Sequence, residues 1–488
     1  MSLSAASHKP ISAPRRVAVA LWMVACAAGC TEPTSKVTPG RNVLLVTLGS
    51  TRADRLGCYG YEKANTPHLD ALAKEGVRFE NAYATSGLGP MSQASILTGK
   101  NTTSHGLRVL SGNPGHRLSR SIPSLPQILG NRGWRTAGFV SSYFAGNAYG
   151  LGRGYQQFRG TEADAPDSQL APTSVPSTGG LVDARENKFQ RRSDATTDEA
   201  LTWLEEHGEL GPWHLWVQYA DLQDLALVPP LMTATAAGLS YDVDPQDLAA
   251  RELLYDFELA FMDAQLGRLI DYLKSTGQYE NTILVILADH GQGLTDGQQN
   301  HGWSLHRLLY NWSVRVPMII KLPQFPPGIV VPDLVRSTDV LPTLLEHVEL
   351  LPPTKLDGRS LLPILRRELD EPRIAFADAL ILEEARGPNR PLPERQLDNL
   401  FLVMNQRWKL IYHERQPNNS ELYDMLHDPA ELSNVYADEP ELAAGLLRTL
   451  EERGAFDRKT QAAAGPAPDG VALEALGYGS LRAAEQEN

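Results

Sequence analysis

Cysteine is scarce in this chain, which carries three cysteines among 488 residues. Cys26 and Cys30 lie in or beside a short apolar segment near the N-terminus, and Cys58 stands alone in the rest of the chain. A disulfide framework needs paired cysteines within the folded part of a protein. The sequence therefore predicts that Cys58 forms no intrachain disulfide bond.

The apolar run nearest the N-terminus is too short to cross a membrane. It covers residues 17–28, whereas a membrane-spanning helix needs about 20 apolar residues. Arg15-Arg16 precedes the run and Gly29-Cys30 follows it, which is the pattern of a secretory signal. The small residues before Cys30 resemble a bacterial lipobox, in which Ala27 replaces the preferred leucine. A single transmembrane anchor and a twin-arginine export signal are the alternatives.

The lipobox pattern predicts how the chain begins. Residues 1–29 are expected to be a signal peptide, and the polar residues 30–40 a tether that is lipidated at Cys30. Lipidation would place the folded part outside the cytoplasm, as a membrane-anchored bacterial lipoprotein on the periplasmic side or at the cell surface. The membrane, reached through the N-terminal lipid, is then the first expected partner.

Positive charge is also in short supply. The chain has 45 Lys and Arg against 58 Asp and Glu, a net charge of −13. Removal of the signal peptide takes away Lys9, Arg15 and Arg16 and no acid, so the mature chain reaches −16. Such a charge repels nucleic acid and anionic polysaccharides at long range. A basic groove for nucleic acid is therefore not expected.

Strand and helix patterns alternate along the rest of the chain, which predicts an α/β fold with a mostly parallel sheet. Buried strands are expected at residues 43–48, 136–141, 213–219, 282–288 and 316–321, and helices at residues 67–75, 94–98, 124–132, 197–207 and 246–276. We divide the chain into an α/β domain at residues 41–350, which includes an exposed loop at 160–185, and a C-terminal α+β subdomain at 351–488.

Several motifs follow one another in a characteristic order. They are Gly49-Ser50-Thr51-Arg52-Ala53-Asp54 after the first strand, Thr66-Pro67-His68-Leu69-Asp70, Ser92-Gln93-Ala94-Ser95-Ile96-Leu97-Thr98-Gly99, Asp289-His290-Gly291 after the fourth expected strand, and Glu421-Leu422-Tyr423-Asp424. Their order and spacing resemble the sulfatase family, within the alkaline-phosphatase superfamily. The resemblance implies a large mixed, mostly parallel sheet flanked by helices, followed by a small antiparallel sheet with a packed helix.

The resemblance also implies a site chemistry. Sulfatases hydrolyse sulfate esters with a divalent cation, a formylglycine nucleophile and cationic donors around the sulfate. The cation is hard and takes oxygen ligands, and here it would be Ca²⁺ or Mg²⁺. The first ligand is normally an aspartate after the first strand, where this chain has Gly49, followed by the neutral hydroxyl of Ser50. Asp54 is expected to be a turn or capping residue.

The nucleophile position is occupied by glycine. In the family it lies in a Cys-x-Pro-Ser-Arg motif ahead of Leu-Thr-Gly. Counting back from Leu97-Thr98-Gly99 places Gln93 at the arginine, Ser92 at the serine and Gly89 at the nucleophile. Glycine has no group that attacks an ester, so the usual mechanism lacks its first step.

A further cluster near the end of the third expected strand has lost its histidines. The family pattern resembles His-Tyr-x-Asp-Pro-His-Asp, and this chain reads Gln218-Tyr219-Ala220-Asp221-Leu222-Gln223-Asp224. Glutamine does not titrate near neutral pH and cannot act as a general acid. Asp221 and Gln223 are expected to line the cleft.

One ligand pair of the family is retained. Asp289 and His290 directly follow a buried strand, where side chains project into the ligand-binding crevice of α/β proteins. We assign them as candidate metal ligands; an inherited hydrogen-bonding pair is the alternative. His301 and Arg307 are candidate cleft residues, although His306 also fits the basic position expected after His301.

Two hypotheses follow. The first is an inactive or impaired extracytoplasmic lipoprotein of the sulfatase family, whose remodelled cleft binds a sulfated or other anionic ligand. Its cleft-lining residues are Gly49, Ser50, Ser92, Gln93, Asp221, Gln223, His301 and Arg307. The second is an active hydrolase of sulfate, phosphate or phosphonate esters with a displaced nucleophile such as Ser92. A structural subunit paired with an active homologue is a third possibility, and the oligomeric state is left open.

Overall fold

The computed structural model describes residues 42–108, 117–161, 189–223, 248–294, 308–380 and 398–457. The expected signal peptide, the tether with Cys30, most of the 160–185 loop, and the candidates His301 and Arg307 lie outside these ranges. The described residues all belong to one compact unit of the chain. The division at residue 350 stays a prediction.

Within the described residues, the large sheet has eight strands. Their bounds are β1 Asn42–Leu48, β2 Val77–Tyr83, β3 Arg135–Val140, β4 Gln157–Arg159, β5 Trp213–Tyr219, β6 Thr282–Ala288, β7 Arg315–Lys321 and β8 Ile329–Arg336. They lie in the order β4-β3-β5-β1-β6-β7-β2-β8, and only β7 runs antiparallel to its neighbours. The central strands β5, β1 and β6 are buried along their whole length, as expected for strands covered on both faces. The predicted mixed, mostly parallel sheet is confirmed.

Five of the α-helices in the described residues correspond to the five predicted helices. The α-helices in these residues are α1 Pro67–Glu75, α2 Gly89–Thr98, α3 Thr102–His105, α4 Leu125–Gly130, α5 Ser193–His207, α6 Leu248–Ser275, α7 Asn311–Val314, α8 Val340–His347, α9 Leu362–Leu365 and α10 Pro440–Glu452. One difference affects the site: α2 begins at Gly89 and not at Ala94. Pro90 explains the earlier start, because its fixed φ suits the first turn of a helix.

The small C-terminal sheet is antiparallel, as the resemblance implied. It consists of β9 Ala375–Ala379, β10 Leu400–Met404, β11 Trp408–His413 and β12 Glu421–Asp424, in the order β12-β11-β10-β9. Helix α10 packs its apolar face on one side of this sheet, where Leu446 and Leu450 share a buried cluster with Phe401 and Val403.

Three strand ends meet at one edge of the large sheet. β5, β1 and β6 are parallel neighbours, and Leu48 at the end of β1 pairs with Tyr219 of β5 and Ala288 of β6. The segments that leave these strands therefore start side by side, in the crevice where α/β proteins bind ligands. Gly49, Ala220 and Asp289 are the first residues of those segments.

Candidate functional site

The Asp289 carboxylate is the centre of the site, and neutral donors surround it. Its Oδ1 accepts hydrogen bonds from the Ser50 amide at 3.2 Å and from the His290 amide at 2.8 Å. Its Oδ2 accepts a hydrogen bond from the Gln93 side-chain amide at 3.0 Å. Asp289 is 1% exposed, so these bonds replace the water that a free carboxylate would bind.

His290 is held in one orientation beside Asp289. Its Nδ1 lies 2.8 Å from the Gly291 carbonyl oxygen, and because a carbonyl only accepts, Nδ1 carries the hydrogen. In the neutral ring this leaves Nε2 as the acceptor nitrogen. Nε2 lies 3.8 Å from Asp289 Oδ1, so the two expected ligands do face each other.

Gly89 lies beside this pair, at the start of α2. A Cβ atom built on Gly89 would lie 3.5 Å from Asp289 Oδ2, 3.8 Å from Gln223 Nε2 and 3.8 Å from His290 Nε2. The structure thus brings together Gly89, Asp289, His290 and Gln223, four residues that the sequence assigned to the site. These distances are ordinary van der Waals contacts, so a side chain at position 89 would point at the pair without a clash.

Gly49, by contrast, has no room for a side chain. A Cβ atom there would lie 2.9 Å from the Tyr219 carbonyl oxygen, 3.1 Å from Gln223 Nε2 and 3.3 Å from Gln218 Nε2. The two glutamines that replace the family histidines therefore border the volume that an aspartate at position 49 would need. The Gly49 backbone amide donates a hydrogen bond to the Tyr219 carbonyl oxygen at 2.8 Å. This bond fixes how closely the segment after β1 approaches the end of β5.

Gln218 has a clear structural role. Its Oε1 accepts hydrogen bonds from the Ser141 and Ser142 amides at 2.9 and 3.0 Å, and its Nε2 donates to the Tyr219 carbonyl at 3.0 Å. The side chain thereby joins the ends of β3 and β5. It offers the cleft no group that titrates.

Asp221 is tied to the first turn of α5. Its Oδ1 accepts hydrogen bonds from both the amide and the hydroxyl of Ser193, each at 3.0 Å. Complete burial raises the pKa of Asp221 from 3.8 to about 6, because a charged carboxylate loses its hydration there, and the Ser193 bonds offset only part of the rise. The contacts of Asp221 are those of a helix-capping residue.

The nearby hydroxyl groups are engaged in the framework. Ser92 is fully buried, and its hydroxyl donates to the Ser86 carbonyl at 2.8 Å. Ser95 contacts His105 Nε2 at 3.0 Å, a distance that fits a nucleophile and its base. However, His105 Nδ1 accepts the Leu107 amide at 3.1 Å, so Nε2 carries the hydrogen and cannot take one from Ser95. Burial also lowers the pKa of His105 to about 3, which keeps the ring neutral.

Sequence patterns missed the residue that supports the Ser50 loop. The Tyr255 hydroxyl, on α6, donates to the Ser50 carbonyl at 2.9 Å and accepts from the Arg52 amide at 3.0 Å. Burial raises the pKa of Tyr255, so the hydroxyl stays protonated and keeps both bonds. Arg52 in turn forms a two-point ion pair with Asp54, at 2.8 and 2.6 Å, which agrees with a turn role for Asp54. The sequence placed Tyr255 only within the helix expected at residues 246–276.

The described residues do not suit a hard divalent cation. Such an ion takes six to eight oxygen ligands, most of them from carboxylates and carbonyls. Over the described part of the chain, no three or more His, Cys, Asp or Glu side chains cluster so as to hold one. Around Asp289, moreover, the amides of Ser50, His290 and Gln93 point their hydrogens at the carboxylate, where a cation would lie. The described residues thus do not fit the cation that the resemblance implies, and metal binding by Asp289 and His290 stays an untested prediction.

Comparison with known proteins adds the family context. The sulfatase family model matches residues 41–350, and the model of the C-terminal part of N-sulphoglucosamine sulphohydrolase matches residues 299–454. The chain is 23% identical to an N-acetylglucosamine-6-O-sulfatase of Bacteroides thetaiotaomicron, over 87% of this chain and 88% of that one. It is 24% identical to an arylsulfatase of Clostridium perfringens, over 82% and 90% of the two chains.

Solved structures share the fold. A phosphonate monoester hydrolase of Agrobacterium radiobacter superposes with a TM-score of 0.65 at 22% identity, covering 86% of this chain and 97% of that one. A second protein, solved in complex with its substrate D-glucosamine-2-N,6-O-disulfate, also superposes with a TM-score of 0.65. The identity is 21%, and the match covers 86% of this chain and 99% of that one. At these identities the likeness establishes the architecture.

Proposed function

The chain belongs to the sulfatase family, and we propose that it is a catalytically impaired member whose cleft binds a ligand without hydrolysing it. One observation carries this proposal: the position that faces Asp289 and His290 is Gly89, which has no side chain to attack an ester. Nucleophilic catalysis needs a hydroxyl, thiol or comparable group within reach of its base. The three heavy atoms nearest a Gly89 Cβ belong to Asp289, Gln223 and His290, and none of them is a hydroxyl or thiol. The Asp289 carboxylate already accepts three amide hydrogen bonds.

The surrounding changes support the same conclusion. Gly49 offers no carboxylate, and the 2.9 Å approach of the Tyr219 carbonyl leaves no space for one. Gln218 and Gln223 supply amides where the family pattern has histidines, so neither can protonate a leaving oxygen. Nucleophile, cation ligand and general acid are thus altered together, and each loss alone would reduce the rate severely.

The names of the relatives favour a second candidate, an active ester hydrolase with a displaced site. Similar chains are named sulfatases, and a similar structure is a phosphonate monoester hydrolase. Ser92 would be its nucleophile, yet the Ser92 hydroxyl already donates to the Ser86 carbonyl and lies within α2. We therefore rank this candidate second.

The first thirty residues support a location outside the cytoplasm. We propose a lipoprotein anchored through Cys30, on the basis of the apolar run at 17–28 and the small residues before the cysteine. Across the described residues, the structure has no helix long and apolar enough to traverse a bilayer. Growth with a radiolabelled fatty acid tests the anchor: label should enter the wild type and be lost in Cys30→Ala.

The ligand we propose is a saccharide. Two relatives are an N-acetylglucosamine-6-O-sulfatase and an N-acetylgalactosamine-6-O-sulfatase. One protein of the same fold was solved with a sulfated glucosamine. The sequence-based expectation of a sulfated or other anionic ligand fits this class. N-acetylglucosamine and its 6-sulfate are therefore the first pair of probes.

Direct assay tests the proposal. Purified protein is incubated with aryl sulfate, aryl phosphate, a phosphonate monoester and N-acetylglucosamine 6-sulfate, each with Ca²⁺, Mg²⁺, Mn²⁺ or Zn²⁺. We expect no turnover above the level of the Asp289→Ala variant, which serves to identify contaminating hydrolase. Turnover by the wild type that disappears in Asp289→Ala would refute catalytic impairment and establish the second candidate.

A further inference from the structure

Three buried polar atoms beside Gly89 have no hydrogen-bond partner among the described residues. Ser50 Oγ, Gln93 Oε1 and Gln223 Oε1 are inaccessible to solvent and have no hydrogen-bond partner among the described residues. Ser50 is fully buried and Gln93 is 1% exposed. Buried polar atoms are nearly always paired in folded proteins, so three unpaired ones at the same site call for an external partner.

The residues that carry these atoms lie around Asp289 and Gly89. The Gln93 amide nitrogen lies 3.0 Å from Asp289 Oδ2, which in turn lies 3.5 Å from a Gly89 Cβ. The Gln223 side-chain amide nitrogen lies 3.8 Å from the same Cβ. The Gln223 amide oxygen is bonded to the same carbon as this nitrogen and so lies in the same region. Ser50 is joined to Asp289 through its backbone amide. Because position 89 is glycine, no side chain of that residue fills the space in front of these groups.

Three amide donors of the site are already used, unlike the side-chain amide oxygens of Gln93 and Gln223. The amides of Ser50, His290 and Gln93 all donate to Asp289. The carboxylate also lies near the N-terminus of α2, where the helix dipole favours negative charge, so Asp289 takes the place that an external anion would have. A sulfate group only accepts hydrogen bonds, and here it would face a carboxylate and two amide oxygens.

A hydroxyl group meets these requirements. It donates one hydrogen bond to a buried acceptor and carries no charge against Asp289. We propose that the cleft binds an unsulfated saccharide, with a sugar hydroxyl beside Gly89 where an active member of the family would take the sulfate ester. This proposal rests on the proposed function, since it requires a cleft that binds without hydrolysis. The consequence is a preference opposite to that of an active sulfatase: the cleft binds the sugar with a free hydroxyl and excludes its sulfate ester.

Binding to a matched pair of probes tests this inference. N-acetylglucosamine and N-acetylglucosamine 6-sulfate are titrated into the purified protein, with binding followed by calorimetry and saturation-transfer NMR. We expect the unsulfated sugar to bind at least about tenfold more tightly, because the ester lacks the donor that a buried acceptor requires. Equal or tighter binding of the sulfated sugar would overturn the proposal, and so would failure of both sugars to bind.

Two variants assign the preference to the site. Gln223→Met keeps the length of the side chain and removes the amide oxygen, and Gln157→Met makes the same change on the exposed edge strand β4. The first should lose most of the preference and the second should keep it. If Gln223→Met does not fold, Ser50→Ala can be used, because it removes only a hydroxyl. This variant should bind the unsulfated sugar more weakly and leave binding of the sulfated sugar unchanged. An unchanged preference in a folded Gln223→Met or Ser50→Ala variant contradicts the assignment.

The outcomes separate this inference from the proposed function. Hydrolysis of the 6-sulfate would refute catalytic impairment, whichever sugar binds more tightly. Tight binding of the 6-sulfate without hydrolysis would leave impairment standing and contradict the preference for the free hydroxyl.

Discussion

The side-chain amide of Gln93 donates a 3.0 Å hydrogen bond to the carboxylate of Asp289, across 196 positions of sequence. A carboxylate that is 1% exposed needs compensation for its lost hydration, and a cation is the usual source in this family. Here neutral donors supply it. Gln93, which lies at the position where the resemblance expects the signature arginine, therefore stabilises the buried carboxylate.

Replacing Gln93 by glutamate should make the protein respond to calcium. A second carboxylate beside Asp289 should lower the free energy of unfolding by about 1–3 kcal/mol without Ca²⁺, because like charges repel and one hydrogen bond is lost. Two adjacent carboxylates also form a better site for a hard cation. Thermal unfolding with Ca²⁺ or EDTA measures this. The wild type should show no shift, so stabilisation of both proteins by Ca²⁺ to the same extent would disprove the argument.

The same substitution at two glycines should have opposite outcomes. Gly89→Ala places its Cβ 3.5 Å from the nearest atom, and helical alanine is favoured over glycine, so stability should stay the same or rise slightly. Gly49→Ala places its Cβ 2.9 Å from the Tyr219 carbonyl, and we expect a loss of about 1–3 kcal/mol. Urea unfolding compares the two. Equal stability of both variants would show that the strands can separate to admit a side chain.

Asp221 should make the protein less stable as the pH rises from about 4 to about 6. Its pKa is 3.8 in the unfolded reference and about 6 in the folded protein, so the folded state holds the proton more tightly in this window. Asp221→Asn keeps an acceptor for Ser193 and should be more stable than the wild type above pH 6, with the difference fading toward pH 4.

Urea unfolding at several pH values measures the effect. Asp438→Asn, a change at an exposed position, is the matched control and should follow the wild type. Some pH dependence should remain in Asp221→Asn, because burial also raises the pKa of Asp263 to about 6. A difference between Asp221→Asn and the wild type that grows toward low pH would have the wrong sign.

The small sheet should depend on a buried ion pair between Lys409 and Glu431. Their side chains are 0% and 2% exposed, and Glu431 also accepts the Asn311 amide at 2.7 Å. Lys409→Met leaves the carboxylate buried without its partner and should cost about 3–5 kcal/mol. Adding Glu431→Gln removes the charge and keeps an acceptor for Asn311, so the double variant should recover part of the loss. Urea unfolding measures the stability of both variants. A double variant less stable than Lys409→Met would contradict this account.

Local patterns in the sequence determined much of the architecture. The predicted strands at 213–219 and 282–288 coincide with β5 and β6, since a continuous apolar run fits a strand buried on both faces. The motifs placed Asp289 and His290 at the end of β6 and Gly89 at the nucleophile position. The short edge strand β4 was not predicted, because its half-exposed residues show no apolar run.

Tertiary structure alone decided what the site contains. Strand order brings Gly49, Gln223 and Asp289 together, although they are distant in sequence, and no periodicity reports which long-range partner a side chain will meet. Only the folded chain brings the Gln93 amide to Asp289 and the Tyr219 carbonyl to Gly49. The sequence showed which side chains expected from the resemblance are absent. Packing in the folded chain determined that side-chain amides and the backbone lie at those positions instead.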